Sequence, residues 1–241
     1  MHRIKSRTKD RPAKGCCIFL FMKMIKLFYW PALTFAAMFS ADPNYFQTIE
    51  QQSTATFDDR GSKFIAIAAA VNSIDEFKQF LAETKKEHPK ASHHCFAYRI
   101  GGDGMIFRAS DAGEPSGSAG RPILGQIDSR GLTNTAVIVV RYFGGTLLGV
   151  PGLINAYKSA AGMALQLTPI IRKQVEIAYE IQFDYTVTNE VLKGIRKFNC
   201  TILHQELQLF SFYKIGIPRI HEQETLRMLG EINGVVIKKT A

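Results

Sequence analysis

Between residues 45 and 71 the apolar positions come in short runs without helical spacing, which reads as three strands at 46–51, 54–57 and 63–71. Asp59-Arg60-Gly61 supplies the turn between the second and third. Then the period changes. Ser73 and Glu76 form a capping box, a hydroxyl and a carboxylate that satisfy two amides at a helix start. The helix they open sets Ile74, Phe77 and Leu81 on one face and stops before Pro89, whose ring pushes the preceding residue out of the helical region. Residues 93–100 alternate as a strand, 101–104 turn, and 105–109 return as the second arm of a hairpin. After a glycine-rich stretch come a helix over 122–129 ended by Gly131 and a β-branched strand over 135–140 fit for a sheet interior. A loop over 143–151 then leads into an Ala-rich helix over 153–167.

The last seventy residues give their own pattern: strand 174–184, helix 189–198, strands 201–205 and 206–217, helix 220–232, strand 235–239. This is a βαββαβ order, expected to form an antiparallel sheet covered on one side by two helices, a ferredoxin-like arrangement. Phe210 and Phe212 share a strand face and are assigned to its core. The fold class is therefore α+β. The expected organisation is a first domain over residues 44–168, a boundary at 168–173 and a second domain over 173–241; 241 residues suffice for two cores.

Residues 1–43 stand apart. A basic stretch precedes a strongly apolar one, and fifteen residues after Lys26 carry no charge. That is the outline of a secretory signal, too short for an ordinary membrane span and lacking a small-residue cleavage site. The alternatives are an upstream extension of the reading frame, with the start at Met22, Met24 or Met38, or a docked helix. A membrane is expected as a partner only if this segment is translated and retained. It also changes the meaning of the net charge of +9, because residues 1–40 hold eight Lys and Arg against one Asp. The rest is nearly balanced, so composition does not mark the body as a nucleic-acid binder. Four cysteines, Cys16, Cys17, Cys95 and Cys200, form neither a disulfide framework nor a metal motif, which points to a reduced, cytoplasmic protein.

Chemistry concentrates in two stretches: Asp111-Ala112-Gly113-Glu114-Pro115-Ser116-Gly117-Ser118-Ala119-Gly120-Arg121 and Arg141-Tyr142-Phe143-Gly144-Gly145. Glycines expose backbone amides and permit positive φ, the means by which a loop receives an anion, and a helix starting near Ala119 would aim its free amides at the same place. The expected site is two glycine loops, one guanidinium and two carboxylates, suited to a phosphate, a carboxylate or a peptide terminus. Its ligand-binding residues are His93, Asp111, Glu114, Ser116, Gly117, Arg121, Arg141, Phe143, Gly144 and Gly145. Neither standard nucleotide-binding glycine motif is present, and the alternative is a cluster of tight turns.

These stretches, with Gly61-Ser62-Lys63-Phe64 and residues 91–99, resemble the signature of the IMPACT/YigZ family over residues 45–167. The last seventy residues are similar, more loosely, to the small C-terminal domain of the bacterial members. The resemblance implies a first domain of the ribosomal-protein/GHMP-kinase-like β-α fold and a second like the fifth domain of elongation factor G. It implies regulation of translation, since eukaryotic relatives compete for a partner of the starvation-sensing kinase, and nucleic-acid binding has been proposed for bacterial ones. It implies no settled catalytic activity and no cofactor. Ala112 stands where bacterial members often have a second acid, and Leu147 and Pro151 replace a lysine and a glycine of the usual pattern.

Function on this reading is a non-enzymatic, translation-linked regulator that binds RNA or a ribosome-associated protein through a glycine-rich groove, with no catalytic residue assigned. The alternative is a small hydrolase or peptidase, or an anionic-ligand-binding enzyme, in which Ser116 would act with His93 and Asp111 or Glu114. His93 and Cys95 share a strand face but lack the further ligands zinc requires. Lys193, Arg196 and Lys197 read equally as a solvated helix face or an RNA patch.

Overall fold

A computed structural model describes residues 42–208 and 210–240. The expectations for the leader therefore lie outside the described residues, apart from Asp42 and Pro43. The chain forms β1 (Tyr45–Ile49), β2 (Ser53–Asp59), β3 (Ser62–Ala70), α1 (Ile74–Glu87), β4 (His93–Ile100), β5 (Ile106–Ser110), α2 (Gly120–Asp128), β6 (Thr135–Tyr142) and α3 (Gly149–Gln166). It continues through β7 (Ile170–Gln174), β8 (Glu176–Asp184), α4 (Thr188–Lys197), β9 (Thr201–Glu206), β10 (Phe210–Pro218), α5 (Glu222–Gly230) and β11 (Val236–Lys239). The fold is mixed α and β, and its sheets are antiparallel.

Five strands make one sheet in the order β2-β3-β6-β4-β5. Central β6 is apolar at successive positions because both its faces are covered. Val137 and Val139 join Phe64, Ile123, Ile127, Leu153 and Tyr157 in the core under α2 and α3. Ala136, Ile138 and Val140 join Phe77, Phe96 and Tyr98 under α1. Strands β5 and β6 run in the same direction, so α2 and α3 both set out from the same end of the sheet. The two helices lie side by side, with Gly162 of α3 against Gln126 of α2.

Several expectations need correction. The first strand, whose pairing the sequence leaves open, does not join this sheet. It pairs with β7, Tyr45 opposite Gln174 through Ile49 opposite Ile170, so much of the expected boundary at 168–173 is itself strand. The single strand over 174–184 is broken at Val175, whose amide donates to the Asn44 carbonyl at 2.8 Å. On α1 the inward face is Phe77, Phe80, Leu81 and Thr84, and Ile74 is exposed in the first turn. α3 begins four residues earlier than expected, because Pro151 has no amide hydrogen to lose and fits a helix's first turn.

The remaining four-stranded sheet has the order β11-β8-β10-β9. Tyr179, Ile181, Phe183, Tyr213, Ile215 and Ile217 face Val191, Ile195 and Leu229 of α4 and α5. Alternation along β10 therefore puts Tyr213 inside, and Phe210, expected in the core, is 74% exposed.

Candidate functional site

The sequence ends β5 at Ser110 and packs three glycines into the next ten residues, and the loop they form is held by its own aspartate. The Asp111 carboxylate accepts hydrogen bonds from the amides of Gly117 at 2.8 Å, Ala119 at 2.9 Å and Gly120 at 2.8 Å. The last two belong to the start of α2, where no cap side chain bonds from Ala119 itself, so Asp111 caps the helix from eight residues upstream. Burial alone would raise its pKa. The amides of Gly117, Gly120 and Ala119, with Arg121, outweigh that and hold the carboxyl below its ordinary value. Gly120 is required by space, since a Cβ there would sit 2.6 Å from the Ser110 amide nitrogen.

Glu114 points inward, with a side chain 4% exposed. Its Oε1 accepts from Arg141 Nη1 at 2.6 Å and from the Tyr157 hydroxyl at 2.8 Å. A lone carboxylate in this position would be strongly disfavoured, and the buried guanidinium makes it tenable. The Arg141 guanidinium lies 5.4 Å from the Phe64 ring centroid and 5.5 Å from that of Phe143, and Nη2 reaches Ser62 Oγ at 3.4 Å. Its Nε is buried with no partner. His93 Nδ1 lies 2.9 Å from the Ala112 carbonyl, which can only accept, so Nδ1 carries a proton and Nε2 faces Glu114 Oε1 at 3.9 Å. Behind it the Cys95 thiol donates to the Asp111 carbonyl at 2.9 Å; burial pushes its pKa up to about 12, leaving it no thiolate character at neutral pH. Burial also raises the Tyr157 hydroxyl, the neighbouring Cys95 and Glu114 adding to it, so it stays a donor.

The second loop is built on a close approach. A Cβ on Gly144 would collide with the Gly61 backbone in the β2–β3 turn, and the Gly144 amide donates to Ser62 Oγ at 3.2 Å. Gly145, at φ +85°, sits in open space.

The structure thus brings His93, Asp111, Glu114, Gly117, Arg141, Phe143 and Gly144 into one cluster and spreads the other residues around it. Arg121 is exposed on the first turn of α2, Ser116 is exposed on the loop, and Gly145 lies beyond the contact with Gly61. No hydrogen bond among the described residues joins Ser116 to His93, Asp111 or Glu114. Tyr157, Ser62 and Cys95 join the cluster without being among the residues expected there. Tyr157 is a lone tyrosine within an Ala-rich helix, a contrast visible in the sequence. No group of three or more His, Cys, Asp or Glu among the described residues is placed to hold a metal ion. Two clefts of about 470 and 510 Å³ lie elsewhere, one lined by Phe46, Asn72, Gly102 and Lys173, the other by Val187, Lys193 and Met228.

A five-stranded antiparallel sheet whose glycine-rich loop is locked by an aspartate, above a buried Glu–Arg–Tyr cluster, defines the class of protein. Residues 60–165 match the Impact N-terminal domain. The IMPACT family member YigZ of Escherichia coli (strain K12) is 33% identical over 65% of this chain and 78% of its own length. The chain belongs to the IMPACT family. A crystal structure of a hypothetical protein, 27% identical, superposes with a TM-score of 0.66 over 82% of this chain and 98% of the other. Yih1, described as a two-domain translational regulator, is 28% identical over 51% of this chain and 47% of its own, with a TM-score of 0.31.

Proposed function

We propose that this chain is a non-enzymatic, translation-linked regulator that recognises RNA or a ribosome-associated protein through the surface made by the 111–121 and 143–148 loops. One observation carries the recognition role. The charged groups at the heart of the constellation are engaged internally, Asp111 by three amides and Glu114 by Arg141 and Tyr157, whereas Phe143, Leu147 and Arg121 are left facing solvent. A rigid, internally satisfied support beneath exposed residues suits binding by shape. The link to translation rests on family membership and on what the resemblance implies for eukaryotic members. Among the described residues both cysteines, Cys95 and Cys200, are free, which fits a cytoplasmic protein.

The finer fold assignment belongs to the same reading. It divides the chain into an N-terminal domain over 44–168, of the ribosomal-protein/GHMP-kinase-like kind, and a ferredoxin-like domain over 173–241. The strand order β11-β8-β10-β9 and the separate core beneath α4 and α5 support the second assignment.

Co-sedimentation with ribosomes, run across a salt series, tests the function. The chain is expected in the ribosomal pellet at low salt, and Phe143→Ser with Leu147→Ser should shift it to the supernatant. A wild-type chain that stays in the supernatant at every salt concentration disproves the translation link.

A further inference from the structure

The surface beside the glycine loops has a composition that narrows what it can bind. Leu147, Val150 and Ile154 are all exposed, Leu147 at 83%, and they are spaced three and four apart into the first turns of α3. They form one apolar ridge, bordered by Pro151 and by Phe143 at 50% exposure, while Leu148 and Leu153 between them point into the core. The ridge continues along the same helix face to Lys158, which is exposed.

The segment that carries the ridge has no acid of its own. No Asp or Glu occurs in the sequence between Asp128 and Glu176. The first turns of α2 and α3 hold no acid, and α2 contributes the exposed Arg121 from the helix that runs beside α3. The acids of the 111–120 loop are engaged, Asp111 by its amides with Arg121 acting on it from beyond ion-pair distance, and Glu114 by Arg141. At the β2–β3 turn Asp59 pairs with Arg60 at 3.5 Å, and Asp58 lies opposite Lys63. Arg121 and Lys158 are left without an ion-pair partner among the described residues.

We propose that this ridge docks a protein segment carrying acidic and apolar residues together, its side chains covering Leu147, Val150 and Ile154 and its carboxylates meeting Arg121 and Lys158. This rests on the reading of the glycine-rich region as a recognition surface, not on the link to translation. A protein segment fits better than nucleic acid for two reasons. The exposed residues are mainly aliphatic, whereas single-stranded nucleic acid wants aromatic platforms, and the one aromatic ring, Phe143, has Arg141 over it. Two cations without an ion-pair partner are also few for backbone phosphates, whose neutralisation scales with the number of basic contacts.

Fluorescence anisotropy on the full chain tests this with three labelled probes: a helix-forming Glu/Leu amphipathic peptide about 16 residues long, its Lys-for-Glu counterpart, and a single-stranded RNA of similar length. The Glu/Leu peptide should bind the wild type about tenfold or more tightly than either other probe. Leu147→Ser with Val150→Ser should weaken that binding about tenfold, and Arg121→Glu with Lys158→Glu should weaken it while improving the Lys/Leu peptide. All four positions are exposed, so the Leu147/Val150 variant should match the wild type in urea midpoint, whereas the charge-reversed variant, which removes Arg121 from beside Asp111, should melt lower and remain folded without urea. RNA binding more tightly than the acidic peptide, no binding by that peptide, or binding indifferent to both variants overturns the proposal. Because ribosome co-sedimentation is read separately, a chain that passes one test and fails the other shows which of the two readings is wrong.

Discussion

Asp111 does the work the sequence reserves for a ligand. Glycine-rich spacing identifies a loop whose amides face inward to receive an anion, and in the structure that anion is the chain's own carboxylate. Its pKa is depressed in the folded state, so its stabilisation is fully present above the ordinary carboxylate value of about 3.9 and is lost as pH falls through the lower folded value. Asp111→Asn keeps the shape but loses the charge and an acceptor, and should reduce unfolding free energy at neutral pH by about 1–3 kcal/mol. The deficit should shrink as urea melts are taken below pH of about 4. Equal wild-type and mutant midpoints at neutral pH would show that the amides are satisfied some other way. Arg141 follows the same lesson: a guanidinium next to glycines looks like an anion receptor, yet it neutralises Glu114. Residue types and spacing reveal which groups take part in a cluster. They do not reveal which group partners which, because that depends on rotamers fixed by packing.

At the scale of elements, the contact between the β2–β3 turn and the loop after β6 fixes where Phe143 and Leu147 stand. Two glycines make it possible, Gly61 at φ +79° and Gly144 with no room for a Cβ. Gly144→Ala must push the turn and the loop apart, and should lower unfolding free energy by about 1–3 kcal/mol while increasing proteolytic cleavage within 143–148. Gly145→Ala meets open space and strains only its positive φ, so about 1 kcal/mol is expected in the same urea melts. A larger loss for Gly145→Ala than for Gly144→Ala would contradict this account. The sequence shows both turns as glycine-rich, and the mutual approach of segments more than eighty residues apart is invisible in it. The same limit explains Phe210. Alternation correctly gives it the same face as Phe212, but which face of β10 meets the helices is decided by α4 and α5.

For the whole molecule, the β1–β7 ribbon is the feature that local pattern does not reveal. The run at 46–51 reads as a strand without naming its partner, and β1 reaches past the main sheet to pair with Ile170–Gln174. Ile49 is fully buried, Thr48 bonds to the Asn134 carbonyl at 3.1 Å, and Arg172 binds Asp42 at 2.8 Å, so the ribbon ties the chain start to β7. Truncation after Pro169 removes the ladder partner of β1. Hydrogen exchange of the Phe46 to Ile49 amides is expected to accelerate strongly in the truncated chain, with lower thermal stability. Protection of those amides unchanged by the truncation would mean that the main sheet alone holds β1.

The sequence by itself determined the antiparallel mixed architecture, most elements of both sheets and the place where unusual residues gather. Apolar period, capping residues and glycine turns are local, and each is decided within a few positions. Tertiary structure alone decided that β1 leaves the sheet for β7, that Glu114 turns inward to Arg141 and Tyr157, and that Asp111 closes its own loop. Those outcomes depend on which distant segment is nearest and on which partner makes burial of a charge tolerable. Those pairings leave the ridge from Leu147 to Ile154 exposed, with Arg121 and Lys158 beside it, as the surface proposed for docking.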